Sequence, residues 1–315
     1  MICNPSTQFK NVDSISEELM LNSIEANLKM FLDWAFLKIG GWFDVSINEN
    51  TLQNNSYDKL LLSEDKSYPT GKAWDSIRKD WVWEKDIVFN NKSPVAIQSI
   101  SVNGTAIANN NSQYNINYPL GRVIFNNALP ANAIVKAAYS YRYVQVYRAN
   151  DSEWFNTIQY NGLSTNKTIN RLNNGSWQIG NNHTIQLPAI VIEALPKSRS
   201  KPHEIGSGGL ILEQDFAFHI LADSKNDRNK IIDILRLQQD LTILLFDINA
   251  LFAQDKYPLN YYGSLKNNPL MYPDIIDQYP WKKCWLKNIA VFDVESVDPN
   301  MHRAAVRVTA EIIYT

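Results

Sequence analysis

The C-terminal portion of the chain combines two periodicities that leave few possible folds. The segment Leu210–Ala222 alternates apolar and polar side chains, which predicts a long β-strand. Ser224 follows as a typical N-cap of a helix that continues to about Leu237. Further strands are predicted over residues 183–195, 241–248, 285–294 and 303–314. The order of strand, strand, helix and three strands indicates an α+β layer with a mostly antiparallel sheet and one packed helix.

The N-terminal segment predicts a helix that is apolar on nearly every side. Ser14 and Glu17 have the spacing of a capping box, apolar residues recur at helical spacing from 21 to 39, and Gly40-Gly41 ends the pattern. So much apolar surface must be covered on more than one side, either within the chain's own domain or by a neighbouring subunit. For the second case the candidate interface residues are Phe31, Trp34, Phe36 and Leu37.

The middle of the chain, from about residue 95 to 147, has the pattern of short strands separated by turns. Asn103-Gly104 is a strong hairpin signal, and further turns are expected near Pro119 and Pro130. This spacing favours a small β-sandwich module. The predicted domains are an N-terminal helical segment over 1–45, a β-rich module over 46–148 and an α+β domain over 149–315.

Composition excludes some classes of protein. The 315 residues carry a formal net charge of -2, which does not favour a basic nucleic-acid binder. Cys3 and Cys284 are too few for a disulfide framework, so a reducing compartment fits best. The N-terminus does not resemble a signal peptide and no apolar run approaches about 18 residues. We expect folding in a cytoplasm and no membrane partner.

The sequence contains no recognisable catalytic constellation. The four histidines lack a second His or Cys at metal-ligand spacing, and the expected role of Cys284 is structural. His219 beside Asp215 is a weak acid–base candidate that is better interpreted as a packing residue. Asp293, Glu295 and Asp298 fit a solvated strand edge better than a cation site. We therefore predict a non-enzyme without catalytic, cofactor or metal residues.

A basic, polar segment stands out between the predicted strands of the C-terminal domain. It contains Lys197, Arg199 and Lys201 and is predicted to form a loop. The loop is either simply solvated or faces DNA.

Three groups of residues together resemble a family of virion structural proteins of tailed phages, including cyanophages. The resemblance runs from about residue 20 onward, and the C-terminal order of strands around one helix resembles the tail-terminator and neck-protein fold. The residues that carry it are Trp74 with Arg78–Glu84, then Tyr118–Phe125, then Phe218–Ala222 with Arg228–Leu235.

The resemblance implies a homo-oligomeric ring, commonly a hexamer, in the neck of a virion. Such a ring is the head-to-tail connector or tail terminator that joins the head connector to the tail tube. Its partners would be copies of itself, the other neck, portal and tail-tube proteins, and genomic DNA in the lumen. The family has no catalytic residues to carry over. An alternative is a baseplate or tail-fibre-associated adhesion module, because Tyr- and Trp-rich β-modules can stack against surface glycans.

Overall fold

The computed structural model describes residues 14–47, 57–95, 99–107, 113–160, 169–180, 183–203 and 209–314. The fold is α+β, with an N-terminal helix, several antiparallel sheets and a C-terminal sheet with packed helices. This confirms the predicted fold class. The helices are α1 Met20–Lys38, α2 Glu153–Tyr160, α3 Lys225–Arg236, α4 Ile248–Ala253 and α5 Tyr272–Gln278.

The β-module contains eight strands that curl around one core. They are β1 Trp42–Val45, β2 Lys59–Leu62, β3 Ala73–Asp75, β4 Ser99–Val102, β5 Thr105–Ile107, β6 Tyr114–Asn117, β7 Arg122–Phe125 and β8 Val135–Arg142. In spatial order β5-β4-β8-β2-β3-β7-β6, the strands form one path of hydrogen-bonded neighbours, and β1 pairs with β8. Both halves of the path contribute to a single core that includes Trp74, Trp81, Val123 and Tyr139.

A six-stranded sheet dominates the rest of the chain. Its strands are β9 Gln145–Arg148, β13 Ala189–Pro202, β14 Leu210–Ala222, β15 Thr242–Phe246, β16 Pro280–Asp298 and β17 Met301–Tyr314. Their spatial order is β15-β16-β17-β14-β13-β9, and every pair is antiparallel except the parallel pair β13–β9. A small three-stranded sheet is formed by β10 Ile169–Arg171, β11 Trp177–Ile179 and β12 His183–Ile185.

Two strands pair with a strand of a different predicted domain. β1 lies in the predicted helical segment but pairs with β8 of the β-module. β9 lies in the predicted β-module but pairs with β13 of the large sheet. The chain therefore passes directly from one sheet to the other between β8 and β9, which brings the two sheets together.

The large sheet has different coverings on its two faces. On one face, which we call the helix face, α1 and α3 pack against a core that includes Phe216, Phe218, Val306 and Val308. On the opposite face, which we call the open face, α2 and the three-stranded sheet cover only the end near Leu221 and Met301. The predicted helix after Ser224 is confirmed as α3, where the Ser224 side chain accepts a hydrogen bond from the Asp227 amide at 3.0 Å.

Helix α1 is covered on several sides by its own chain. Phe36 packs into the helix-face core, and fully buried Leu37 packs with Val82 and Ile87. Phe31 and Trp34 are partly buried and both contact Tyr272 of α5, with ring centroids 6.4 and 6.3 Å apart. The subunit-interface interpretation is wrong for Phe36 and Leu37, because these two side chains have no surface to offer a neighbour.

The predicted capping box does not form. Helix α1 begins at Met20 after Leu19, and no side chain caps it. Ser14 accepts a hydrogen bond from the Ser16 amide instead. Ser14 and Glu17 have the residue types and the spacing of a capping box, but both lie before the first residue of the helix.

A buried charge network holds α1 against the β-module. Arg142 at the end of β8 binds Glu84 with an N–O distance of 2.5 Å and Asp80 at 3.3 Å. Its guanidinium also lies 3.5 Å from the Asp33 carbonyl of α1. Lys29 neutralises the Asp33 carboxylate at 2.6 Å. The side chains of Arg142 and Glu84 are each only 4% exposed, so this pairing is a buried one.

Candidate assembly interface

The large sheet has an unpaired strand edge on each side, as far as the described residues show. On one side, β15 pairs only with the first part of β16, so the outer edge of β16 is open from Lys287 to Asp298. On the other side, β9 pairs only with residues 189–192 of β13. The Glu25 side chain accepts a hydrogen bond from the Ala194 amide, and the outer edge of β13 is open beyond that point. A row of free backbone donors and acceptors is a template for a strand from another chain.

The edge of β13, which we call the basic edge, carries the predicted lumen residues Lys197, Arg199 and Lys201. All three are exposed. The prediction of a loop is wrong here, because residues 198–202 pair with β14 and extend the strand to Pro202. Apolar periodicity was absent from this segment, and pairing to a long neighbouring strand imposes the extended conformation.

The edge of β16, which we call the acidic edge, carries Asp293 and Glu295, with Asp298 at its end. Exposed apolar side chains alternate with these carboxylates: Phe292 and Val294 are each about half exposed. No group of three potential metal ligands occurs among the described residues. The three carboxylates lie on β16, spread along a strand edge.

The two sets of edge charges lie on the same face of the sheet. Lys197 approaches Asp215 at 3.9 Å, and Lys201 approaches Glu213 at 3.9 Å. Asp215 and Glu213 are on the open face, opposite to Phe216. Glu295 binds Arg303 at 2.8 Å, and Arg303 also belongs to the open face because its neighbour Ala304 lies in the helix-face core. The sheet thus carries opposite charge at its two open edges.

Rows of ion pairs cross the open face between the edges. Lys287 of β16 bridges Glu213 and Glu311 at 2.6 and 3.1 Å, and the hydrogen bond from Lys287 lowers the pKa of the Glu213 carboxyl. Arg307 pairs with Asp215 in the next row. Such rows favour one register of the neighbouring strands. The charges of the basic and acidic edges lie outside these rows.

An exposed apolar patch lies on the same face at the distal end of the sheet. It consists of Leu244 of β15, Trp285 of β16 and Ile313 of β17, which are 46, 36 and 45% exposed. Cross-strand pairing places Leu244 opposite Lys283 and Trp285 opposite Glu311. Lys283 is exposed beside Leu244, so this end of the sheet combines apolar side chains with a cation, a mixture that is common where one protein binds another.

The weak catalytic candidates do not come together. His219 does not bind Asp215; its Nε2 lies 2.7 Å from Glu193, and its Nδ1 lies 3.1 Å from Arg303. The hydrogen bond to His219 lowers the pKa of the Glu193 carboxyl. The ring also packs on Phe155 with centroids 4.8 Å apart. His219 is therefore a buried packing residue with satisfied nitrogens.

Cys284 is fully buried in the helix-face core. Burial raises the pKa of its thiol to about 12. A neutral, inaccessible thiol is a poor nucleophile, which agrees with the structural role predicted for Cys284. Cys3 lies outside the described residues.

One cleft of about 600 Å³ lies between the β-module and the three-stranded sheet. Within it, the Arg78 guanidinium lies 4.6 Å from the ring centre of Tyr57 and 5.2 Å from that of Tyr141. Arg171 lies on the other wall, 3.8 Å from Asp223. Burial is the largest effect on the Asp223 carboxyl and raises its pKa, while both arginines act against that rise. The cleft thus combines two cations with aromatic rings.

Sequence reasoning missed these arrangements because each depends on strands that are far apart in the chain. One signal could have pointed to the acidic edge: Phe292-Asp293-Val294-Glu295 alternates apolar and acidic residues, as an exposed strand does. Nothing local indicates which strands lack a partner.

Comparisons with known proteins do not identify the chain. No protein-family model matches it, and no curated protein matches it. Within the described ranges, no helix is both long and apolar enough to span a bilayer. The proposals below therefore depend on the geometry and on the resemblance noted in the sequence.

Proposed function

We propose that this protein is a structural subunit of a tailed-phage virion and forms a ring in the neck. The ring is a head-to-tail connector or tail terminator, assembled in the host cytoplasm, that joins the head connector to the tail tube. The observation that supports this best is that, within the described part of the chain, one sheet has an unpaired strand edge on each side.

The direction of the strands makes these edges compatible with each other. From β16 through β17 and β14 to β13, each strand runs opposite to its neighbour, so β16 and β13 run in opposite directions. When two copies stand side by side in the same orientation, β16 of one copy meets β13 of the next as an antiparallel pair. A contact between two different surfaces repeats from copy to copy and closes into a ring when the rotation permits.

The open face is the side of the sheet that suits a lumen. Its exposed part carries Lys197, Arg199 and Lys201 on the basic edge, whereas Lys287 and Arg307 are paired with carboxylates of the same face. Basic side chains on a lumen wall attract DNA phosphates, and the carboxylates of the same face offset this attraction, so the face is suited to genomic DNA that passes through rather than to DNA that is held tightly. The helix face is already covered by α1 and α3, so it faces outward in this arrangement. The apolar patch at the end of the sheet is suited to a neighbouring neck or tail protein.

The proposal is tested by the mass and shape of the purified chain. Native mass spectrometry and negative-stain class averages are expected to show a closed ring with a central opening, and the resemblance favours six copies. A chain that stays a single copy over a wide range of concentration, with and without tail-tube protein, contradicts the ring. Turnover of a small molecule by such a single copy would contradict the structural role itself.

The cleft around Arg78 favours one alternative, a baseplate or tail-fibre-associated adhesion module that binds surface glycans. Tyrosine faces and amide side chains are suited to sugar rings, and two arginines are suited to acidic sugars. Saturation-transfer NMR with neutral and uronic-acid oligosaccharides separates the two functions. Glycan binding that is lost in Arg171→Ala, by a chain that forms no ring, supports the adhesion module. A ring without glycan binding supports the neck protein.

A further inference from the structure

We infer that the charges on the two edges specify which copies can pair: the basic edge of one copy binds only the acidic edge of the next. The inference rests on the proposed ring and identifies its subunit seam. It adds a statement about specificity, because it excludes contacts between two like edges.

The first argument is that the charges face each other across such a seam. Lys197, Arg199 and Lys201 project from the open face, as do Asp293 and Glu295. A strand added to a sheet continues its pleat, so side chains of the same face lie next to each other across the new pair. Opposite charges in these positions attract.

The second argument is that like edges repel. Two copies related by a twofold axis would pair β13 with β13 or β16 with β16. When Arg199 meets Arg199 or Asp293 meets Asp293, charges of one sign lie opposite each other on the same face, which destabilises the pair. A shifted β16 pair could set Lys287 against Glu295, but Lys287 is already bound by Glu213 and Glu311 of its own copy. The symmetric dimer, the commonest closed assembly, is thereby disfavoured against a head-to-tail ring.

The third argument is geometric. Opposing Arg199 to Asp293 also opposes Lys197 to Glu295 in an antiparallel pair. Within one copy, Arg199 is level with Glu213 of β14, and Asp293 is level with Ala305 and hence with His219 of β14. Glu213 and His219 are six positions apart, so adjacent copies are staggered along the strands by about 20 Å.

This stagger is compatible with a closed sheet. The four strands from β16 to β13 span about 19 Å across the sheet, and a 20 Å stagger over that width tilts the strands by about 45° from the ring axis. Tilts of about 35–45° are normal when sheets close. In each copy, β9 covers one end of the β13 edge and β15 covers one end of the β16 edge. With this stagger, β9 of the next copy lies past the C-terminal end of β16. The β15 strand of the first copy lies past the C-terminal end of the next copy's β13. The two short outer strands therefore do not obstruct the seam.

Charged edges have a second known role, which is to keep other chains away. The two roles give opposite predictions when the charges are removed. If the charges prevent any strand from pairing with the edge, replacing Lys197, Arg199 and Lys201 by serine increases association between copies. If the charges recognise the acidic edge, the same replacement weakens association.

The test uses charge reversal on the full chain. Variant B carries Lys197→Glu, Arg199→Glu and Lys201→Glu, so both of its edges are acidic. Variant A carries Asp293→Lys and Glu295→Lys, so both of its edges are basic. A matched control makes the same change of charge as variant B on the exposed side of helix α3, with Lys225→Glu, Lys230→Glu and Arg236→Glu. Circular dichroism and thermal melting check that each variant is folded.

We expect each reversed variant alone to shift from the mass of the ring to that of a single subunit, and the control to keep the mass of the ring. An equimolar mixture of A and B is expected to recover oligomers in which the variants alternate, since both seams then join opposite charges. A chain with both sets of reversals is expected to recover the ring by itself. Native mass spectrometry distinguishes A from B by their masses.

The results separate the seam from the ring. If A and B still form rings alone, or if the folded variants do not form oligomers on mixing, the inferred seam is contradicted while the proposed ring is not. If the serine variant associates more strongly than the wild type, the charges are protective and the inference is overturned. If the wild type never associates, the proposed ring fails first, and the seam fails with it.

Discussion

Arg142 is the residue whose loss is expected to damage the fold most specifically. Its guanidinium binds Glu84 at 2.5 Å and Asp80 at 3.3 Å, in a site where the Arg142 and Glu84 side chains are each 4% exposed. Replacing it by methionine keeps much of the volume but removes the charge. Glu84 then remains buried and Asp80 partly buried, and Lys29, which pairs with Asp33, is the cation that remains in the network.

The expected cost follows from the desolvation of these carboxylates. Removing one partner of a buried ion pair costs about 3–5 kcal/mol, because the other partner is left charged and unpaired. A domain is stable by only about 5–15 kcal/mol in total, so Arg142→Met should remove a large share of the stability. The double variant Arg142→Met with Glu84→Gln removes both charges of the closest pair and should recover part of the loss, since the remaining amide is cheaper to bury.

Urea denaturation, followed by tryptophan fluorescence and circular dichroism, measures these free energies of unfolding. Hydrogen exchange gives an independent check, because the loss should increase exchange in α1 and in residues 76–86 more than in α3. Arg142→Lys is a milder companion that keeps the charge but loses the paired hydrogen bonds. A loss below about 1 kcal/mol for Arg142→Met, well under the range for a broken buried pair, would refute the reasoning.

Three further predictions concern single residues. Burial is the largest effect on the Asp80 carboxyl and raises its pKa to about 6 from the ordinary 3.8. Protonated Asp80 therefore favours the folded state, and this contribution is lost as the pH rises through 6. The whole shift corresponds to about 3 kcal/mol, spread from below pH 3.8 to above pH 6, so relative to Asp80→Asn the wild type should lose about 1.5 kcal/mol between pH 5 and 7.5. A pH-independent difference would contradict the shift. Leu37→Ala should lower the free energy of unfolding in urea by about 2–5 kcal/mol, because Leu37 is fully buried, and should leave the oligomeric mass unchanged. A change in oligomeric mass without a loss of stability would restore Leu37 as an interface residue. Ser224→Ala removes the hydroxyl that accepts a hydrogen bond from the Asp227 amide, and it should lower the free energy of unfolding in urea by about 1 kcal/mol. Ser224→Asn should keep the stability, because asparagine also caps helices.

Local patterns in the sequence were sufficient for the long elements. Strand β14 covers the predicted range Leu210–Ala222, helix α3 follows its predicted cap, and β17 contains the predicted last strand. The Asn103-Gly104 turn joins β4 and β5 as predicted. In each case the signal is a repeat of two or of 3.6 residues, or a turn residue that tolerates positive φ, and such signals act within a few residues of the chain.

Short elements were not predictable in this way. Helices α4 and α5 have six and seven residues, which is less than two full turns and too short for a helical period to emerge. Both pack under α1 in one small core, so contacts distant in sequence stabilise them.

The sequence alone determined that this chain alternates long strands with a capped helix, and that its N-terminal helix needs cover on several sides. Only the tertiary structure decided that the cover comes from the chain's own sheet and from α5, and that the segment with Lys197, Arg199 and Lys201 is a strand. It also decided which strands end the sheet, and with what charge. The physical reason is range. A pleat or a helical turn is a property of neighbouring residues, whereas the order of strands in a sheet depends on backbone hydrogen bonds and packing between distant segments, such as β14 and β17, which pair Ala222 with His302 and Leu210 with Tyr314.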